Sequence, residues 1–174
     1  MTQTPPLKPH WSAAEIAATD EYDIGHPLNP NTQVHLRQLG PLAGLKRAGL
    51  SLGRIPPGKE SFPYHAHQAE EEFVYILSGR GRAEVNGVFY ELGPGDFLGF
   101  PAPGCAHLMA NPYDVELVYL MGGERSPIEI AEFPRHGQRV LRESQNSYFV
   151  ASEHLRPVNL NEFIRGKTSG SGKK

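Results

Sequence analysis

Cysteine is almost absent: Cys105 stands alone in 174 residues. An intramolecular disulfide is therefore excluded, and the chain suits a reducing compartment. An excess of charge of either sign is missing too. A formal net charge of −2 gives no electrostatic case for a nucleic-acid or anionic-membrane partner. No apolar run approaches the length of a membrane span. The stretch Met1 to His10 has three prolines and lacks the apolar core of a signal peptide, so the expected location is the cytoplasm.

What the chain does have is turn formers, 16 Pro and 19 Gly set between short apolar runs. That texture points to an all-β fold rather than a helical bundle, and the length suits a single core. Residues 1–31 read as an N-terminal arm. In it Ser12 and Glu15 form a capping-box pattern, Trp11 can act as a staple, and one short helix is expected near Ala13 to Ala18. Pro27, Asn29, Pro30 and Asn31 are expected to break regular structure.

From Thr32 onward about nine short strands are expected, the rhythm of a sandwich or barrel. Asn86-Gly87 is the strongest hairpin signal, because both central positions of a type I′ turn need positive φ. The barrel is assigned to residues 32–125 and a C-terminal extension to 126–165. Within the extension Ile128 to Phe133 alternates as an edge strand would, with shorter candidates at Arg139 to Leu141 and Tyr148 to Val150. The Gly/Ser/Lys-rich run 166–174 reads as a disordered tail.

Two clusters of histidine and glutamate carry the chemistry. His65 and His67 are two residues apart in a strand-like segment, so both project from one face and can chelate one ion. A neighbouring strand pair can bring Glu72 and His107 to the same ion. The two segments read His65-x-His67-x4-Glu72-x6-Gly79, then Gly95-x5-Pro101 and Gly104-x2-His107-x3-Asn111. Together they resemble the two signature motifs of the cupin superfamily. Each departs from the pattern by one extra residue, before His65 and before Gly104. The Glu-rich lead into Phe73 and the Gly122-Gly123 pair look like single-domain bacterial cupins of the type-2 conserved-barrel group. Some members of that group carry provisional sugar-phosphate isomerase labels.

The resemblance implies a double-stranded β-helix, the cupin jelly-roll barrel, with a metal in its mouth. It implies His65, His67, Glu72 and His107 as ligands of one divalent transition ion. The ligand types suit Fe, Mn, Zn, Ni, Co or Cu without choosing among them. Glu71 is the alternative carboxylate, and Glu70 and Glu71 otherwise read as solvated loop charges.

Four protein ligands on an octahedral ion leave two open positions, as a catalytic site needs. The expected function is a metal-dependent enzyme acting on a small polar or anionic metabolite, by oxygenase or isomerase chemistry. The alternative is a binding or sensing module without turnover. A general base is not visible; Glu70, Glu71 and Tyr64 are the candidates.

Cys105 reads as a buried thiol rather than a reactive one, and Arg54 as a strand-end arginine rather than an anion clamp in the mouth. Arg82, Tyr64, Tyr75, Phe100 and Met109 are candidate pocket linings. His10, His26, His35, His136 and His154 lack partners at ligand spacing and read as surface residues. A homodimer is expected, to cover Trp11, Phe133 and the Tyr148 to Val150 segment.

Overall fold

A computed structural model of the chain describes residues 8–144, 146–159 and 163. The expected tail at 166–174 lies outside them. Helix α1 (Ala13–Ala17) starts on a complete capping box: Ser12 Oγ accepts from the Glu15 amide at 3.3 Å, and Glu15 accepts from the Ser12 amide at 2.9 Å. The Trp11 indole N–H donates to the Leu42 carbonyl at 3.1 Å, tying α1 to a second helical turn, α2 (Leu39–Leu42).

Strands β1 (Tyr22–His26) and β2 (Asn29–Gln38) precede α2 (Leu39–Leu42). Then come β3 (Ala48–Ile55), β4 (Ala66–His67), β5 (Glu72–Ser78), β6 (Gly81–Val85) and β7 (Val88–Leu92). They are followed by β8 (Phe97–Phe100), β9 (His107–Ala110), β10 (Leu117–Glu124), β11 (Ile128–Phe133), β12 (Gln138–Glu143) and β13 (Asn146–Ala151).

Residues 22–31 are therefore not free of regular structure. They form most of a hairpin on the sheet, and Pro27 and Leu28 are its turn. Pro30 is tolerated because the ladder shifts register between Ile24 and His26, where an amide donor is not required.

One antiparallel sheet runs β1-β2-β3-β10-β5-β8. Opposite it lie β7-β6-β9 and β4-β11-β12-β13. A bridge between His65 and His107 joins these two groups: each amide donates to the other's carbonyl, at 3.1 and 2.8 Å. The fold is the expected all-β jelly-roll barrel. Its core is made where the two layers face each other, by Val34, Ile55, Val74, Ile76, Leu117 and Tyr119 from one and Ala83, Leu92 and Met109 from the other. Strand β5 shows the period of two directly, with Val74 and Ile76 buried and Tyr75 and Leu77 exposed. Each buried aliphatic side chain of this kind contributes about 1.5–3 kcal/mol.

The expected turn at Asn86-Gly87 is present, with φ of 48° and 79°. Ile128 to Phe133 is not an edge strand. As β11 it lies between β4 and β12, with Glu129 and Phe133 buried. No helix among the described residues is long and apolar enough to cross a membrane.

Candidate metal centre

The four residues expected as ligands come from both layers. His65 stands at the bridge to β9, His67 on β4, His107 at the start of β9, and Glu72 at the start of β5 in the opposite sheet. The layers bring them together. Ligand atoms of His65, His67 and Glu72 all lie within 4.8 Å of one another. Glu72 Oε2 is 3.3 Å from His67 Nε2 and 3.4 Å from His107 Nε2. The rings of His65 and His107 are 4.5 Å apart, and Phe100 lies flat on His107 at 3.7 Å with an interplanar angle of 6°. Glu71 is exposed and outside the cluster, so position favours Glu72 as the carboxylate.

The hydrogen bonds behind the rings fix their tautomers. His65 Nδ1–H donates to the Pro63 carbonyl at 2.7 Å, and His107 Nδ1–H donates to the Cys105 carbonyl at 3.0 Å. With Nδ1 engaged in this way, Nε2 is the nitrogen each ring has left for a metal ion. His67 differs. Both of its ring nitrogens are buried and without a hydrogen-bond partner among the described residues. Orphaned buried nitrogens beside two imidazoles and a carboxylate fit a divalent transition ion.

Electrostatics within the cluster runs in opposite directions. Burial, together with the neighbouring His107 and His67, pushes His65 down to about 3, so it is neutral over the physiological range. Burial alone would raise Glu72, but the imidazoles of His107, His67 and His65 around it hold its carboxyl well below the usual range. His67 is raised: burial lowers it, and Glu72, Glu129 and Glu70 outweigh the burial.

His65, His67 and Glu72 sit in the wall of a cleft of ≈ 510 Å³, which includes His26, Arg125, Ala131, Phe133 and Arg142, and His107 borders an inner cavity beside it. That size suits a small metabolite. The glycines Gly122 and Gly123 of β10 pair with Phe73 and Glu72 and leave the cleft open beside the carboxylate.

Several expectations are corrected here. His26 is not a surface residue: its half-buried ring stacks on Phe133 at 5.3 Å, and Phe133 stacks on His65 at 5.6 Å. Burial, then repulsion from His136, lowers its pKa. Glu70 is not a solvated charge either. It is buried, paired with Arg142 and accepting from the Ser126 amide. Arg54, in line with its expected place outside the mouth, has its guanidinium held by Glu21 at 2.6 Å and Glu116 at 2.7 Å. Cys105 packs against the core and burial raises its thiol pKa, which fits the inert reading. Among the suggested pocket linings, Phe100 and Met109 border an inner cavity beside Glu72 and His107. Arg82 pairs with Glu91, Tyr75 is exposed, and Tyr64 packs under Arg135.

Two residues at the site were missed altogether in sequence. One is Tyr119, fully buried beside the cluster, its phenol pushed up by burial and by the Glu72 charge. The other is Glu129 on β11, only 2% exposed and 3.5 Å from His67 Nδ1. Its signal was available: Glu129 shares strand parity with Ala131 and Phe133, which line the cleft.

Comparison with known proteins agrees with this fold. Residues 51–123 match the family model described as "Cupin domain". A solved structure from Acidithiobacillus ferrooxidans, provisionally named a sugar phosphate isomerase, is 35% identical with a TM-score of 0.82, over 86% of this chain and 96% of that one. A structure from Silicibacter pomeroyi, named a sugar phosphate isomerase from a cupin superfamily, is 25% identical with a TM-score of 0.70, over 81% of this chain and 90% of that one. The polyketide cyclase RemF from Streptomyces resistomycificus shares the fold at 20% identity and a TM-score of 0.55, over 66% of this chain and 80% of that one. No curated protein matches the sequence.

Proposed function

This chain belongs to the cupin family, and from that membership we propose that it is a metal-dependent enzyme acting on a small polar or anionic metabolite. In this reading His65, His67, Glu72 and His107 hold one divalent transition ion. When bound, such an ion would polarise a carbonyl oxygen of the substrate. Of the two chemistries, proton-transfer isomerisation is favoured over oxygenation. One observation carries that preference: His65, His67 and Glu72 share a single cleft with the His26 imidazole.

His26 Nδ1 accepts the Leu28 amide proton at 3.2 Å, so the neutral ring carries its own proton on Nε2. With its pKa lowered, the ring is neutral at pH 7 and donates a hydrogen bond to a substrate oxygen. Phe133 and Phe149 hold the ring in place and shield that face from water. Arg125, exposed on the cleft wall and free of ion pairs among the described residues, supports an anionic end on the substrate. The names of the two most similar relatives reported above support a sugar phosphate.

The test is to incubate metal-loaded protein with aldose and ketose phosphates in deuterated water and follow them by NMR. Interconversion with deuterium entering the carbon beside the carbonyl supports the reading. Substrates that bind but stay unlabelled contradict turnover and favour a binding module. Dioxygen consumption by the Fe(II)-loaded protein moves the assignment to oxygenase chemistry.

A homodimer belongs to the same proposal. Trp11 and Phe133 are largely covered within the chain, whereas Tyr148 and Phe149 remain 51% and 47% exposed and offer a surface for a second copy. Elution at the mass of a single 19.2 kDa chain would contradict it.

A further inference from the structure

Glu129 lies on β11, outside both histidine-bearing motifs and in the C-terminal part of the chain. A carboxylate 2% exposed is costly to bury and calls for partners. Two are backbone amides: Gln68 N–H donates to Oε1 at 2.8 Å and Ala69 N–H to Oε2 at 3.2 Å. They explain how the segment after His67 is held. They do not explain the third neighbour, His67 Nδ1, at 3.5 Å from Oε1 and buried without a hydrogen-bond partner.

The other two histidines show what is missing. His65 and His107 each donate Nδ1–H to a backbone carbonyl two residues earlier, and so present Nε2 to the cluster. His67 has no such carbonyl bond among the described residues, yet its Nε2 also faces Glu72, at 3.3 Å. Glu129 is the acceptor standing where Nδ1 needs one. Its cross-strand neighbour Arg142 is engaged by Glu70, so the Glu129 carboxylate is left to His67 and the two amides.

We infer that Glu129 is a positioning residue for the metal centre. It accepts a hydrogen bond from His67 Nδ1–H, fixing the tautomer and ring orientation that present Nε2 to the ion, and so makes the C-terminal sheet part of the site. The inference rests on the metal reading above. It needs only a small closure of the 3.5 Å gap, since the β4–β11 ladder already sets Ala131 opposite His67. Partners of this kind raise ligand basicity, and their loss weakens metal binding by about 10- to 100-fold.

Co(II) alone is the probe, because its visible spectrum reports the ligand field. Metal-free wild type, Glu129→Gln and Glu132→Gln are titrated with Co(II), and their melting is compared without metal. Glu129→Gln keeps an oxygen to accept the Gln68 and Ala69 amides but removes the charge that faces His67. The expected result is Co(II) affinity about 10-fold or more below wild type, with an altered visible spectrum and near-unchanged metal-free melting. Glu132→Gln, on the same strand but paired with Arg139, should match wild type. Wild-type affinity and spectrum in Glu129→Gln would overturn the inference and leave Glu129 as a loop anchor. No Co(II) binding by wild type would overturn the metal reading together with it.

Discussion

Gly123 stands directly opposite Glu72 across the β10–β5 ladder, and a Cβ added to it would fall 3.0 Å from Glu72 Cγ and 2.7 Å from the Glu71 carbonyl. The cluster's carboxylate therefore owes its position to a missing side chain. Gly123→Ala is expected to displace Glu72 and weaken metal binding by about 10-fold, with overpacking costing about 1–3 kcal/mol. Metal titration together with urea unfolding checks both. Wild-type affinity would show that Glu72 does not need this space.

Phe100 clamps His107 in the same way from the side. Phe100→Ala should cost about 3–5 kcal/mol, as for other buried aromatics, and leave His107 free to rotate. Phe100→Leu, which retains most of the volume, should recover much of the stability while binding metal less tightly than wild type. Equal losses in the two properties for both variants would reduce Phe100 to a packing residue.

Arg54 gives the opposite prediction. Its fork between Glu21 and Glu116 is partly solvated, so Arg54→Ala should lose only about 1 kcal/mol in chemical unfolding. Metal content and ligand binding should be unchanged. A loss of anionic-ligand affinity would return Arg54 to the cleft.

His26 makes a prediction about pH. Its folded pKa lies below the ordinary value of 6.5, because burial and His136 both oppose the charged ring. The unfolded chain then binds the proton more readily. The stability His26 contributes is therefore present above about pH 6.5 and is lost as pH falls through the folded value. Replacing the exposed His136 by Gln removes the repulsion, so the His26 imidazole should titrate at higher pH, as read by NMR. An unmoved titration would leave burial as the sole cause.

How far the sequence reveals this site depends on the range of each interaction. His65 and His67 are legible because strand geometry alone sets two side chains on one face. Glu72 and His107 are legible because motif spacing places each at the start of a strand, although the two strands lie in opposite sheets. His26 and Glu129 are not, because no local spacing joins them to the motifs. His26 enters the cleft on a hairpin whose prolines look like breakers until the register shift that accommodates Pro30 is known. Glu129 sits in an alternation whose hydropathy assigns the isoleucines to the core, yet Ile128 is 64% exposed and Glu129 is buried. Sheet pairing decided between the two faces, and it is a long-range property.

The central claim is that His65, His67, Glu72 and His107 hold one divalent transition ion. Elemental analysis of protein purified without added metal tests it most directly, with wild type compared against the His65→Ala/His67→Ala double variant. The account predicts about one transition ion per wild-type chain and almost none in the folded variant. A metal-free wild type that takes up no ion when offered, or equal metal in both proteins, would contradict it.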